Sequence, residues 1–326
     1  MQNFFGFDRE KYFIKKEVIR AANGIGAAYS SMLAISFFLQ LIIILLTALF
    51  SGFLNMMVIA EDSVFSLVMQ IVTSILMFTI PYIVVAKILK YNISNLVELR
   101  KPKKETLLPL LCVGLGVCAL SEIFTNIFAS ILSSVGINPE MPQMESGGSV
   151  EGKILYFLAI AVVAPLAEEF ALRGIVLSVL KKFGEGFAII MSALIFGFMH
   201  GNLIQMPFAF AAGLGLGFVA VKCGSLWGSV LLHFIVNTVS ILTQFISDAF
   251  SMEIANVAYS VYLIVALIVG VFGLLFLIRK GETLTLKKSE INVTTGEKVK
   301  YFFSAPLIII SLVITAIEII AVQVIY

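Results

Sequence analysis

Long apolar runs fill this chain. A bilayer core about 30 Å thick is crossed by about 20 apolar residues in a helix, and nine stretches meet or approach that length. They run at about Tyr29 to Phe53, Ser63 to Leu89, Leu107 to Val135, Lys153 to Leu180, Phe187 to His200, Met206 to Val221, Leu226 to Ile246, Val257 to Ile278 and Ser304 to Tyr326. Most are far longer than the ~9–11 residues of a transmembrane β-strand, so with every backbone group needing a partner in lipid they predict helices. A mean hydropathy of +1.05 with 13% charged residues is incompatible with an ordinary soluble domain. Disorder, collagen, coiled-coil and disulfide-scaffold architectures are excluded by the same apolarity and by three scattered cysteines, expected as free thiols. The fold class is therefore all-α, a polytopic transmembrane helix bundle of about nine spans. A formal charge of +2 gives no ground for a nucleic-acid partner.

Orientation follows from the basic residues, which concentrate on the cytoplasmic side. With the N-terminus cytoplasmic and nine crossings, the cytoplasmic stretches hold 20 of the 22 Lys and Arg residues. Lys153 alone falls in an outer loop, and Arg173 lies within a span. Glu61, Asp62, Glu140, Glu145, Glu151, Asp248 and Glu253 mark the opposite face. The short fifth and sixth stretches are also compatible with a re-entrant hairpin. Residues 1 to 28 interleave Arg9, Lys11, Lys15, Lys16 and Arg20 with Phe4, Phe5, Phe7, Phe13 and Ile14, a pattern that predicts an amphipathic segment on the membrane surface. The run that follows is longer than a signal-peptide core and is read as a retained first span. Gly213 to Gly217 contains a GxxxG spacing, read as a helix-packing surface.

An ionisable side chain in a span costs about 2.5–3.5 kcal/mol, so each needs a partner or a purpose. Here they are Glu122, Glu168, Glu169, Arg173, His200, His233 and Glu318. Glu169 and Arg173 lie four apart on one helical face and can neutralise each other. Glu168, rotated by about 100°, is left without a local partner. Pro165 just before them removes a backbone donor and frees a carbonyl. The chain has two histidines, and both fall in spans: His200 closes Phe196-Gly197-Phe198-Met199-His200, and His233 has Asn237 one turn on. Counting along the helices puts Glu168 and His233 near the midplane, whereas His200 falls one or two turns too far out unless the fifth helix is broken or tilted. Glu122, with Asn126 one turn on, is read as structural, and Glu318 is given no role.

In this order and on separate apolar helices, E-E-x-x-x-R, F-x-x-x-H and H-x-x-x-N resemble the CPBP family, also called Abi or CAAX-protease-like, which includes Rce1-type prenyl-protein endoproteases and many bacterial intramembrane proteases. The likeness covers residues 150–246, the expected catalytic core. It is preceded by 1–149, an amphipathic segment and three spans, and followed by 247–326 with two more. The resemblance implies an intramembrane endopeptidase acting on a membrane-associated peptide or lipidated protein. Glu168 would activate water, His200 would hold that water or share its proton, and His233 and Asn237 would be oxyanion donors. Glu169 and Arg173 would support them, or Arg173 would hold a substrate carboxylate. No cofactor is expected, since H-E-x-x-H is absent; in a zinc-dependent variant Glu168, Glu169, His200 and His233 would be the ligands. A non-proteolytic scaffold or bacteriocin-immunity protein, and more remotely a proton-coupled transporter, are the competing readings. The expected location is the plasma membrane of a prokaryote, as a multi-pass protein.

Overall fold

The computed structural model describes residues 2–49, 64–137, 149–289 and 293–325, and among them every regular element is helical. The helices are α1 (Gln2–Leu49), α2 (Val64–Ile88), α3 (Lys104–Ser134), α4 (Val150–Lys181), α5 (Glu185–Met199), α6 (Gln205–Cys223), α7 (Leu226–Ala249), α8 (Met252–Arg279), α9 (Thr295–Phe303) and α10 (Pro306–Ile325). A single turn, Ile93–Leu96, sits between α2 and α3. The span ends expected at Phe53, Ser63 and Tyr326, and the acids Glu61, Asp62, Glu140 and Glu145, lie outside the described residues.

Among the described residues, seven helices are long and apolar enough to cross a membrane: Lys11–Ile42 within α1, then α2, α3, α4, α6, α7 and α8. The helices α9 and α10, which meet at 71°, pass the same test of length and composition when taken together, which makes up to eight crossings. Because α9 carries Glu297, Lys298 and Lys300 in nine residues, we assign the crossing to α10. The expected fifth span is the exception. With 15 residues, α5 extends only about 22 Å, short of a bilayer core. It leaves the end of the bundle where α4 finishes at Lys181, and α6 returns to that same end at Lys222, so the orientation of the other helices is unaffected. The surface-lying segment expected at residues 1–28 is also different: it is the first part of one unbroken helix, and Val18, Ala21, Ala22, Ile25 and Ala28 are buried in the protein.

Small residues set how closely the helices approach, as expected where lipid supplies no hydrophobic drive between spans. On α6, a Cβ at Gly213 would come within 3.1 Å of Ala193 and Phe196 of α5, and one at Gly215 within 3.0 Å of Val117 of α3. The glycine run is thus a packing surface on two sides. Helices α3 and α8 cross at Gly116 and Gly270, where a Cβ on Gly270 would approach the Gly116 Cα to 2.8 Å. The lipid-facing sides are apolar, as with Val257, Val261, Ile264, Ile268 and Phe272 of α8. All three cysteines are free thiols.

Helix α4 is not a uniform α-helix. Two wider π-helical segments, Leu158–Val163 and Phe170–Leu177, flank a short α-helical stretch, Ala164–Glu169, that carries both glutamates. In the first wide segment the Ala164 N–H bonds the Ala159 carbonyl five residues back. The same register would pair residue 165 with the Ile160 carbonyl, but proline has no N–H to give. Asn237 of α7 supplies the missing donor: its side-chain amide bonds Ile160 O at 2.9 Å. Wide turns of this kind re-aim side chains and often mark functional positions.

Candidate active site

Helices α4, α5, α6 and α7 bring the intramembrane polar residues of the matching motifs together. At the bottom of the cluster lies the buried ion pair: Arg173 Nη1 donates to Glu169 Oε1 at 2.7 Å, with both side chains fully inaccessible. The second terminal nitrogen, Nη2, donates to the Gly213 carbonyl at 3.1 Å, a bond made possible by the close approach of the glycine-rich face of α6. The guanidinium also lies over the Phe196 ring, 4.6 Å from its centroid. Both terminal nitrogens of Arg173 are thus engaged inside the protein, and its Nε is buried without a hydrogen-bond partner among the described residues. This argues against the alternative in which it holds a substrate carboxylate.

Glu169 has a second partner that helical spacing does not reveal. His233 Nδ1 lies 3.1 Å from the same Oε1, and since a carboxylate can only accept, Nδ1 carries the proton. That bond aims the other ring nitrogen, Nε2, toward Glu168, whose Oε2 is 3.8 Å away, a spacing too long for a direct hydrogen bond. Glu168 differs from Glu169 in being reachable, with 16% of its side chain exposed. Two adjacent glutamates thus have opposite situations: one is sealed and charge-paired, the other open.

His200 closes α5 as its C-terminal cap. Its Nδ1 lies 2.8 Å from the Phe196 carbonyl; a carbonyl can only accept, so Nδ1 donates and Nε2 is left with its lone pair. The Phe196 ring meets His200 edge-on at 4.9 Å and His233 at 5.7 Å between centroids, while its face carries Arg173. Phe196 therefore gathers both imidazoles and the guanidinium around one ring. Although the count along α5 places His200 about 20 Å from the start of the helix, its ring shares Phe196 with His233 and so belongs to the same cluster.

Asn237 follows His233 by one turn on α7, and one of its two amide hydrogens is spent on Ile160. Glu122 and Asn126 of α3 stand apart from this cluster: Asn126 is exposed and lines a shallow groove with Ile123, Ile127 and Ser130. Glu318 is exposed on α10. Among the described residues no three His, Cys, Asp or Glu side chains are arranged to hold a metal ion. Of the four candidate zinc ligands, Glu169 already carries Arg173 and His233 Nδ1 on Oε1, while its Oε2 is buried without a hydrogen-bond partner among the described residues.

The fold and this cluster define an integral membrane protein that holds an acid–base constellation within its helices. Residues 150–239 match the family described as "Type II CAAX prenyl endopeptidase Rce1-like", and all seven motif residues fall inside the match. The resemblance carried by the three motifs is therefore borne out for this segment, and the family is a protease family. A Bacillus subtilis (strain 168) protein named "Putative membrane peptidase YdiL" is 28% identical over 91 residues, which is 28% of this chain and 37% of that protein. The chain thus matches well under two thirds of its relative's length. No solved structure matches.

Proposed function

We propose that the protein is an intramembrane endopeptidase that hydrolyses a peptide bond in a membrane-associated peptide or lipidated protein, in the cell membrane of a prokaryote. The observation that carries this reading is the asymmetry of the two glutamates: Glu169 is locked between Arg173 and His233, and Glu168 beside it is accessible and faces an imidazole nitrogen across 3.8 Å. An accessible carboxylate in an apolar, half-buried position is suited to accept a proton from water. In the proposed mechanism Glu168 takes that proton, and His200 Nε2 accepts the water's other hydrogen, holding its oxygen for attack on the scissile carbonyl.

The tetrahedral oxyanion then needs donors. His233 gives Nδ1–H to Glu169, so it can donate from Nε2 only as the imidazolium. The second amide hydrogen of Asn237 is the other donor, its side chain held in place by the bond to Ile160. Collapse of the intermediate returns the proton from Glu168 to the leaving amine, so no metal step is required. The test uses Glu168→Gln and His200→Ala in membranes. Loss of cleavage with unchanged expression and insertion supports the proposal, and full activity of both variants contradicts it. If purified active protein carried stoichiometric zinc that left together with activity, the metal-free mechanism would be wrong.

A further inference from the structure

Away from this cluster, a cavity of about 690 Å³ opens at the basic end of the bundle, bordered by Lys181, Lys182, Lys222, Lys287, Lys288 and Glu185. Its depth is defined by the helices: Lys181 ends α4, and Lys222 lies in the last turn of α6. The lining is therefore at the level where spans leave the hydrocarbon and phospholipid headgroups begin.

Its wall is a loop tied to α5 and α6 by hydrogen bonds. Lys222 Nζ donates to the carbonyls of Thr283 and Thr285 at 3.2 and 2.6 Å. Glu185 clasps the same loop twice: its N–H donates to the Lys287 carbonyl at 3.1 Å, and its Oε2 accepts the Lys287 N–H at 2.8 Å. Gly184, at φ +115°, makes the turn that lets α5 begin against this loop. Three carboxylates near the cavity are already used among the described residues. Glu185 serves the backbone, Glu98 pairs with Lys181 at 3.5 Å and Glu17 with Lys182 at 2.9 Å. The ammonium groups of Lys287 and Lys288 have no carboxylate or carbonyl partner among the described residues, yet the backbone of Lys287 is held at both its N–H and its carbonyl. A general cytoplasmic excess of lysine accounts for the charge. It does not account for a walled cavity with two uncompensated cations held at headgroup level.

We propose that this cavity binds the phosphate of an anionic ligand, supplied by an anionic phospholipid headgroup of the same membrane leaflet. The lipid is preferred to a soluble phosphate because the cavity opens where headgroups are concentrated and beside apolar Val221. Each lysine near an anionic surface contributes about 1 kcal/mol, so losing two predicts about thirtyfold weaker retention.

The experiment is native mass spectrometry of the full chain released from bilayers of mixed phosphatidylglycerol and phosphatidylcholine, with thermal unfolding confirming that each variant is folded. Wild type is expected to retain phosphatidylglycerol selectively and the Lys287→Ala/Lys288→Ala pair to lose it about thirtyfold, whereas Lys101→Ala/Lys103→Ala, at exposed positions outside the cavity, is expected to match wild type. Equal loss in the control pair would overturn the site in favour of diffuse attraction. Equal retention of phosphatidylcholine, displacement by millimolar inorganic phosphate, or binding of an acidic peptide with no lipid retained would each overturn the lipid assignment.

Discussion

Glu169 Oε1 accepts from both Arg173 and His233, so this one buried atom links charge neutrality to the aim of an imidazole. Removing one partner of a buried pair strands the other charge, at a cost of about 3–5 kcal/mol. Arg173→Met is therefore expected to lower the thermal unfolding midpoint sharply in detergent, and the double variant Glu169→Gln/Arg173→Met to recover most of that loss without recovering activity. A double variant as unstable as Arg173→Met alone would show that the ion pair is not what the arginine contributes. Glu168 makes no such structural bond. Glu168→Gln is predicted to leave the unfolding midpoint unchanged while lowering cleavage by about 10²–10⁴-fold, the usual contribution of a positioned general base.

The element that sets this site is α4, whose wide turns and proline leave Ile160 O for Asn237 to satisfy. Asn237→Ala should cost about 1–3 kcal/mol by orphaning that carbonyl. Pro165→Ala restores a backbone N–H in register with Ile160, so combining the two substitutions is predicted to cost less than Asn237→Ala alone; simple additivity in unfolding measurements would refute the pairing. Part of this element could be read from spacing. Glu169 and Arg173 are four apart, so helical geometry alone brings them together, and Pro165 announces a free carbonyl. The identity of that carbonyl could not be read, because it depends on a five-residue hydrogen-bond register. The Glu169–His233 bond was equally hidden: the two residues are 64 positions apart on helices joined only through tertiary packing. The extent of α5 could be read, but whether it crosses could not, since an apolar run does not distinguish lipid from the protein interior that buries Phe187, Met191, Ile195 and Phe196.

Across the whole molecule, the two ends of the chain are tied to each other. Along α1 and α10, Tyr29 meets Thr315 at 2.6 Å, Ser30 meets Ser311 at 2.7 Å, and the Leu307 N–H donates to Asn23 at 3.1 Å. Asn23 belongs to the segment expected to rest on the membrane surface; an amphipathic pattern does not say whether lipid or another helix covers its apolar side. Beyond the membrane, Lys11 of α1 pairs with Glu297 of α9. The Lys11 ammonium, aided by the Thr294 N–H, holds the Glu297 carboxyl down at about 2 from an ordinary 4.5. A depressed carboxylate stabilises above its unfolded value and loses that contribution as pH falls through its folded one. The wild-type unfolding midpoint is thus predicted to fall between pH 4.5 and about 2 by more than that of Glu297→Gln, and parallel curves would remove this tie from the account. The spans and their charges make the chain a membrane protein, but the proteolytic role rests on Glu168. The most direct measurement compares the peptide termini present in membranes of cells expressing wild type or Glu168→Gln at equal level. The account predicts at least one membrane-associated peptide or protein whose cleaved terminus is found only with wild type and whose intact precursor accumulates with the variant; identical termini in both would contradict it.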